Sequence, residues 1–161
     1  MTARARVLVV DDDRLNRLML TKLLEHEGYE VREAADGRQA LDALAEEAFD
    51  LVLLDLVMPE VDGIEVLQTI KGSSKWWNTP VIMISAVEET ESIVRCIELG
   101  ADDYVLKPFD PVLLRARLNA SLARRRFQDL EVEYHTIVKE QRAELDELNR
   151  RLAERVREAG P

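Results

Sequence analysis

Residues 49–63 read FDLVLLDLVMPEVDG, and they indicate the architecture of the chain more clearly than any other segment. The almost continuous apolar run at 49–54 predicts a short β-strand that is buried on both faces. The run ends at Asp55, and a helical pattern begins at Gly63 and continues to residue 70. A buried strand that leads into a helix is typical of a parallel sheet covered by helices.

The alternation of strand and helix repeats on both sides of this segment. We predict four further strands, at 6–10, 29–34, 81–85 and 103–106. We predict the other helices at 14–27, 37–46, 88–99 and from 111 to about 159. On the first helix, the apolar residues expected to face the core are Leu15, Leu18, Met19, Leu23 and Leu24. The sequence therefore predicts an α/β fold with a doubly wound five-stranded parallel sheet, in which the more polar second strand lies at an edge.

Composition and charge exclude several classes of protein. The 161 residues carry 32 acidic side chains against 22 Lys and Arg, and residues 1–110 hold 23 of these acidic side chains but only 11 basic ones. Because phosphate contacts require Lys and Arg, we expect no nucleic-acid partner. No apolar run approaches the length of a membrane span, so we expect a cytoplasmic protein without a membrane partner. Cys96 is the only cysteine, which excludes a disulfide framework.

Polar side chains follow four of the five predicted strands. They are Asp11, Asp12 and Asp13 after the first strand, Asp55 after the third, Ser85 at the end of the fourth and Lys107 after the fifth. Such sheets place their functional sites beyond the carboxyl ends of the strands. Crowded carboxylates stay ionised together only beside a cation, and oxygen ligands of this kind favour Mg²⁺. A carboxylate beside Mg²⁺, a lysine and a hydroxyl can attack phosphorus, so we predict a site that accepts a phosphoryl group.

Four motifs, in this order, resemble those of the receiver domain of two-component response regulators. They are VVDDD (9–13), LLDLVMPEVDG (53–63), VIMISA (81–86) and ADDYVLKPF (101–109). The resemblance covers residues 5–125 and implies a flavodoxin-like fold. It also implies a Mg²⁺-dependent signalling domain, not itself an enzyme, which receives its phosphoryl group from a sensor histidine kinase or a phosphotransfer protein.

The resemblance implies a role for each acidic residue of the site. Asp55 matches the phospho-accepting aspartate. Asp12 matches the direct Mg²⁺ ligand, Asp11 matches a ligand that acts largely through water, and the backbone carbonyl of Val57 would complete the protein ligands. Asp13 has no assigned role in the family, and we predict that it caps the first helix.

The resemblance also implies which residues respond to the phosphoryl group. Ser85 and Lys107 would contact it, and Pro108 would follow Lys107 through a cis peptide bond. Tyr104 matches the aromatic switch residue that turns inward when Ser85 is drawn to the phosphate. Val57 and Val87 match two variable positions that influence hydrolysis of the acyl phosphate, and their apolar side chains predict a long-lived phosphoryl group.

One rival assignment concerns the same acidic residues. Phosphatases of the haloacid-dehalogenase type use an Asp-x-Asp motif after an apolar strand, which would make Asp11 the nucleophile and Asp13 the acid. That assignment leaves Asp55 without a role, and 161 residues provide little room for the cap of such an enzyme. We therefore favour the receiver.

Residues 111–159 predict one long helix, because no Gly or Pro interrupts the chain between Pro111 and residue 159. Beyond residue 125 the apolar residues follow the spacing of a coiled coil with a four-residue stutter near 137–141: Phe127, Leu130, Tyr134, Ile137, Val138, Leu145, Leu148, Leu152 and Ala159. We predict a receiver domain over 1–125 and a coiled-coil dimerisation and signalling helix over 126–161, forming a parallel homodimer. The alternative is a helix that is frayed alone and docks on a partner.

Residues 144–158, ELDELNRRLAERVRE, are similar to the signalling helix that joins receivers to class III nucleotide-cyclase domains. This resemblance implies an output domain, an adenylate or guanylate cyclase, that is absent from the chain. A stand-alone adaptor acting through protein–protein contacts is the alternative. A DNA-binding regulator is disfavoured because no helix-turn-helix pattern follows the receiver.

Overall fold

Five strands and five helices alternate along residues 4–160, the part of the chain that the structure, a computed structural model, describes. The strands are β1 (Arg6–Val10), β2 (Glu30–Ala34), β3 (Leu51–Leu54), β4 (Val81–Ser85) and β5 (Asp103–Leu106). The helices are α1 (Arg14–His26), α2 (Gly37–Glu46), α3 (Gly63–Gly72), α4 (Thr90–Glu98) and α5 (Pro111–Glu158). Their bounds lie within two residues of the predicted ones. Residues 1–3 and 161 of the two predicted domains lie outside the described residues.

The strands form one parallel sheet in the order β2-β1-β3-β4-β5. This order confirms the doubly wound fold and places β2 at an edge. The direction of winding reverses between β1 and β3, whose last residues, Val10 and Leu54, are paired. The Asp55 amide donates to the Val10 carbonyl (2.9 Å), so the ends of β1 and β3 lie side by side. Parallel sheets of this type place their functional sites at such a switch point.

The sheet separates two apolar layers, because successive side chains of a strand point to opposite faces. Leu8, Val10, Val52 and Leu54 belong to a buried cluster that includes residues of α2, α3 and α4. Val7, Val9, Leu51 and Leu53 belong to a second cluster, with residues of α1 and α5. All eight side chains are at most 1% exposed. Burial of each such side chain stabilises the fold by roughly 1.5–3 kcal/mol, so the sheet is a rigid support for its carboxyl edge.

The predicted core stripe of α1 is wrong at three positions. Leu15, Leu18 and Met19 are 64%, 44% and 51% exposed, whereas Leu20 and Leu24 are buried together with Thr21. Apolar residues occur on more than one side of this helix, so their spacing alone fits two different stripes. The face that contains a threonine meets the sheet, and the first half of the helix presents an apolar surface to solvent.

The chain divides into two units, one ending at Arg125 and the other beginning at Arg126. The second unit consists of the continuation of α5. Its large apolar residues at the predicted seam positions from Phe127 to Leu152 are each at least 40% exposed. Ion pairs between Arg150 and both Glu147 and Glu154 (each 2.7 Å) lie along the same helix and support it locally. Within the described residues, no helix combines the length and the apolar character needed to cross a membrane.

Candidate functional site

The carboxyl ends of three strands bring four of the predicted site residues together. Carboxylate oxygen atoms of Asp11, Asp12 and Asp55 all lie within 4.8 Å of one another. Lys107 Nζ donates to Asp11 Oδ2 at 2.7 Å and lies 3.5 Å from Asp55 Oδ2. Lys107 is 96 positions from Asp11 in the sequence, so the sheet creates this contact. The Lys107–Pro108 peptide bond is cis, as predicted.

The loop between β1 and α1 uses its three aspartates differently. Asp13 caps α1, since its Oδ1 accepts from the amides of Leu15 (2.8 Å) and Asn16 (3.3 Å). The predicted cap is therefore confirmed. Asp11 is 2% exposed, and its carboxylate accepts from both Lys107 and the Asp13 amide (2.9 Å). Asp12 is exposed, which leaves its carboxylate accessible for a ligand.

The electrostatics of Asp55 reflect its burial among charges. Asp55 is 7% exposed, and burial raises the pKa of its carboxyl from 3.8 to about 6. The charge of Lys107 and a hydrogen bond with the Val57 backbone lower this pKa, whereas the charges of Asp11 and Asp12 raise it. Burial lowers the pKa of Lys107, but its contacts with Asp11 and Asp55 outweigh that effect and leave the pKa above its ordinary value. The site thus contains an ionised Lys107 beside Asp55, whose negative charge is disfavoured by burial.

Gly63 allows the start of α3 to pack directly against the backbone of Asp55 and Leu56. A Cβ atom at this position would collide with the carbonyl oxygen of Asp55 and would lie 2.8 Å from the Cα of Leu56. The Gly63 amide donates to the Leu56 carbonyl (2.9 Å), and Asp62 caps α3 by accepting from the Glu65 amide (3.0 Å). Sequence reasoning assigned no role to Gly63, although the Asp-Gly pair at the start of a helix was the available signal. Only glycine fits where α3 approaches the Asp55 backbone this closely.

Ser85 and Tyr104 meet at the loop that follows β4. Ser85 is 1% exposed, and its Oγ accepts from the Val87 amide at 3.2 Å. The Tyr104 hydroxyl donates to the Val87 carbonyl at 2.7 Å. Burial raises the pKa of Tyr104, in keeping with a ring that packs partly against the core. The predicted switch residue therefore interacts with the predicted phosphate-contacting serine both directly and through Val87.

The donor atoms at this site fit Mg²⁺. Mg²⁺ prefers oxygen ligands and is usually held by one or two carboxylates while it keeps several waters. Because Asp11 is committed to Lys107 and the loop, Asp12 and Asp55 are the carboxylates available for direct contact. Burial raises the pKa of Asp55 even beside Lys107, so a further cation would stabilise its charged form.

Arg17 is a site residue that sequence reasoning missed. Its Nη1 donates to the backbone carbonyl of Asp11 at 2.7 Å, and its Nε lies 3.6 Å from Glu33 Oε1. Its side chain is only 14% exposed. An arginine inside an amphipathic helix carries no signal that separates this contact from a solvated position, so the structure was needed to find it.

The raised pKa of Asp55 predicts a pH-dependent effect on stability. The folded protein binds this proton more tightly than the unfolded chain, so ionisation costs stability that returns as pH falls through about 6 towards 3.8. We expect Asp55→Asn to raise the free energy of unfolding of the metal-free protein by about 3 kcal/mol at pH 8, and by only about 1 kcal/mol at pH 4.5. Urea denaturation with EDTA at both pH values measures this. A gain of the same size at pH 4.5 would show that the Asp55 charge is not responsible.

Known proteins resemble this chain in sequence and in fold. A family model described as the response regulator receiver domain matches residues 7–119. The DNA-binding response regulator MtrA of Mycolicibacterium smegmatis is 46% identical over 123 residues, which are 76% of this chain and 53% of that protein. The probable transcriptional regulator ycf27 of Guillardia theta is 41% identical over 77% of this chain and 48% of its own length. The solved structure of chemotaxis protein CheY4 of Vibrio cholerae has a TM-score of 0.71 and 34% identity, over 74% of this chain and 99% of its own.

These relatives overturn one prediction made from charge. The expectation of no nucleic-acid partner is wrong, because curated relatives at 41–46% identity are DNA-binding or transcriptional regulators by name. The chain spans about half the length of these relatives. The acidic charge belongs to residues 1–110, which lie within the segment that these relatives share. It carries no information on what the unmatched half of each relative contacts.

Proposed function

The chain belongs to the response regulator receiver domain family, and from this premise we propose that Asp55 accepts a phosphoryl group from the phosphohistidine of a sensor histidine kinase or a phosphotransfer protein. Asp12, Asp55 and the Val57 carbonyl would hold Mg²⁺ directly, with Asp11 acting largely through water. The observation that carries the proposal is the convergence of three carboxylates and Lys107 on one point at the switch of the sheet. We place this activity in the cytoplasm.

The chemistry follows from the positions of the side chains. An Asp55 carboxylate oxygen attacks phosphorus, the phosphorus–nitrogen bond of the phosphohistidine breaks, and the imidazole leaves with the electron pair. Bound Mg²⁺ would offset the negative charge on the phosphoryl oxygens. Lys107 lies 3.5 Å from Asp55 and can pair with a phosphoryl oxygen, and the Ser85 hydroxyl can donate to another.

The response would begin at the same residues. If Ser85 turns its hydroxyl towards the phosphoryl group, its Oγ gives up the bond from the Val87 amide. The Val87 carbonyl also holds the Tyr104 hydroxyl, so movement of this loop changes the environment of the ring. We propose that this coupled change alters the surface around α4, β5 and the first part of α5.

The surface beside the acceptor supports a protein donor. Leu15, Leu18 and Met19 are exposed on the first half of α1, which directly follows the acidic loop. Val57, two residues after the acceptor, is 62% exposed. Exposed apolar side chains that border a polar site are typical of a protein–protein interface. A helical kinase or phosphotransfer domain would bury them while presenting its phosphohistidine to Asp55.

Labelling with a small phosphodonor tests the proposal without a cognate kinase. We expect acetyl phosphate to add one phosphoryl group, seen by intact-protein mass spectrometry, in Mg²⁺ and not in EDTA. Labelling that proceeds equally in EDTA would contradict the proposed role of the acidic group.

A second expected result concerns the lifetime of the phosphoryl group. The Val57 and Val87 side chains cannot hydrogen-bond an attacking water, so hydrolysis should be slow. We expect Val57→Asn to shorten the half-life of the acyl phosphate by about 10-fold, less than the roughly 10²–10⁴-fold of a true general acid or base, because an amide can orient the attacking water but does not take its proton. Release of inorganic phosphate after removal of acetyl phosphate measures it, with Val57→Leu as the apolar control. An unaltered decay rate in Val57→Asn would contradict the explanation.

The helix from Arg126 onward supports a proposal about output. We propose that it pairs with a second copy as a parallel coiled coil and carries the signal to an output domain. Residues 120–158 lie beyond the family match, and the similarity of 144–158 to cyclase-linked signalling helices supports a nucleotide-cyclase output. The names of the curated relatives favour a DNA-binding output as the second candidate. A stand-alone adaptor would use the same helix to bind its partner.

Dimerisation through this seam has a direct test. A single chain has a mass of 18.4 kDa, so we expect about twice that mass by light scattering. Leu148→Lys places a charge at a seam position and should reduce the mass to that of one chain. Val132→Lys, on an exposed position outside the seam, is the matched control and should leave the dimer intact. A wild-type protein that remains monomeric at high concentration would rule out the coiled coil.

A further inference from the structure

The backbone amide, the backbone carbonyl and both carboxylate oxygens of Asp11 all form hydrogen bonds. Its amide donates to the Ala34 carbonyl (3.2 Å), and its two carboxylate oxygens accept from the Asp13 amide and from Lys107. Its carbonyl accepts from Arg17 Nη1 at 2.7 Å. Three of these contacts come from the adjoining loop, a neighbouring strand and the proposed catalytic lysine. The fourth contact comes from Arg17, a residue of α1, and it is made to the loop between β1 and α1.

The carbonyl that Arg17 contacts belongs to the peptide that joins Asp11 to Asp12. A peptide group is planar, so holding its oxygen also fixes the direction in which the backbone enters Asp12. Asp12 itself is exposed, and its carboxylate depends on the backbone for its position. Arg17 is therefore placed to orient a proposed metal ligand that it does not touch.

The guanidinium is itself held in place and carries a permanent charge. Its Nε lies 3.6 Å from Glu33 Oε1, on the strand next to β1, and its side chain is 14% exposed. A guanidinium keeps its charge throughout the working pH range and donates in several fixed directions. Because it donates to a carbonyl and not to the aspartate carboxylates, it adds positive charge near the cluster without occupying a proposed ligand atom.

We propose that Arg17 is a positioning residue for the Mg²⁺ site, which holds the Asp11–Asp12 peptide so that the Asp12 carboxylate faces the ion. The inference rests on the proposed function, since it assumes that the acidic cluster binds Mg²⁺. Loss of a group that orients a metal ligand typically weakens metal affinity by about 10–100-fold. The expected effect is therefore on affinity for Mg²⁺, while the chemistry at Asp55 remains intact once the ion is bound.

Calorimetric titration with Mg²⁺ tests the inference on the full chain without any phosphodonor. We expect Arg17→Ala to weaken binding about 10-fold, and Arg17→Lys to weaken it less because the amine keeps the charge and one donor. Arg14→Ala removes an exposed arginine from the same helix and should stay within about twofold of wild type. A second readout is the Mg²⁺ concentration for half-maximal labelling by acetyl phosphate. It should rise about 10-fold in Arg17→Ala while the rate at saturating Mg²⁺ stays within about twofold.

The outcomes separate this inference from the proposed function. If the wild-type protein does not bind Mg²⁺, the proposed function fails. If the wild type binds and Arg17→Ala binds equally well, Arg17 has no positioning role. A lower labelling rate at saturating Mg²⁺ with unchanged affinity would also overturn the inference, because it would indicate general damage to the site. If circular dichroism shows that Arg17→Ala does not fold, Arg17→Lys replaces it, and unchanged affinity in that variant overturns the inference.

Discussion

Asp55→Asn is expected to abolish labelling by acetyl phosphate, with a rate at least 100-fold below that of the wild type. The asparagine amide has nearly the same shape but is not a nucleophile, so no acyl phosphate can form. With its pKa raised to about 6, the wild-type Asp55 carboxyl is mostly ionised near pH 7.5 and is available for attack. Intact-protein mass spectrometry over time measures the loss.

The matched control lies in the same loop. Asp62→Asn makes the same chemical change at the residue that caps α3, where asparagine is an equally good cap. We expect its labelling rate to stay within about twofold of wild type. Labelling of Asp55→Asn at a tenth of the wild-type rate or more would mean that another residue accepts the phosphoryl group.

Lys107→Ala is expected to slow labelling by about 100-fold, the size of effect seen when one donor to a developing negative charge is removed. Lys107 contacts Asp11 at 2.7 Å and lies 3.5 Å from Asp55, so its loss removes both the proposed phosphoryl contact and a charge that balances the carboxylates. Rapid-quench labelling at saturating Mg²⁺ measures the loss of the phosphoryl contact separately from any change in Mg²⁺ binding.

Two further variants complete the Lys107 measurement. Lys75→Ala removes an exposed lysine from the loop before β4 and should leave the rate unchanged. Lys107→Arg keeps the charge with a different shape and should recover part of the rate. A Lys107→Ala protein that is labelled at the wild-type rate would remove the lysine from the proposed mechanism.

The fold was predictable because three segments have unambiguous patterns. The apolar runs at 7–10, 51–54 and 81–84 are too short for helices and too continuous for half-exposed strands, and the structure pairs them at the centre of the sheet. Once these strands are parallel, their carboxyl ends share an edge. Asp11, Asp55 and Lys107 then meet as a consequence of connectivity, although they are far apart in the sequence.

Other features were not predictable because they depend on packing. The spacing in α1 favoured Leu15, Leu18 and Met19 as core residues, yet the sheet meets the face that contains Leu20, Thr21 and Leu24. A pattern gives the stripes that a helix could bury, and the neighbouring elements decide between them. The contact of Arg17 with the Asp11 carbonyl likewise depends on how α1 packs against the sheet, which the sequence spacing does not give.

The second unit shows a different limit of sequence reasoning. The spacing from Phe127 to Leu152 predicts a seam, and the structure shows those side chains on a helix with their surfaces exposed. A seam on one helix does not identify the second helix that covers it. The acidic charge of residues 1–110 was similarly uninformative about a nucleic-acid partner, as the names of the curated relatives show.

The most direct test of the central proposal is the position of a divalent ion in crystals grown with Mn²⁺, located by its anomalous scattering. The account predicts one peak at about 2.0–2.6 Å from carboxylate oxygens of Asp12 and Asp55 and from the Val57 carbonyl. A well-ordered crystal that holds the ion away from Asp55, or holds none at millimolar Mn²⁺, would contradict it.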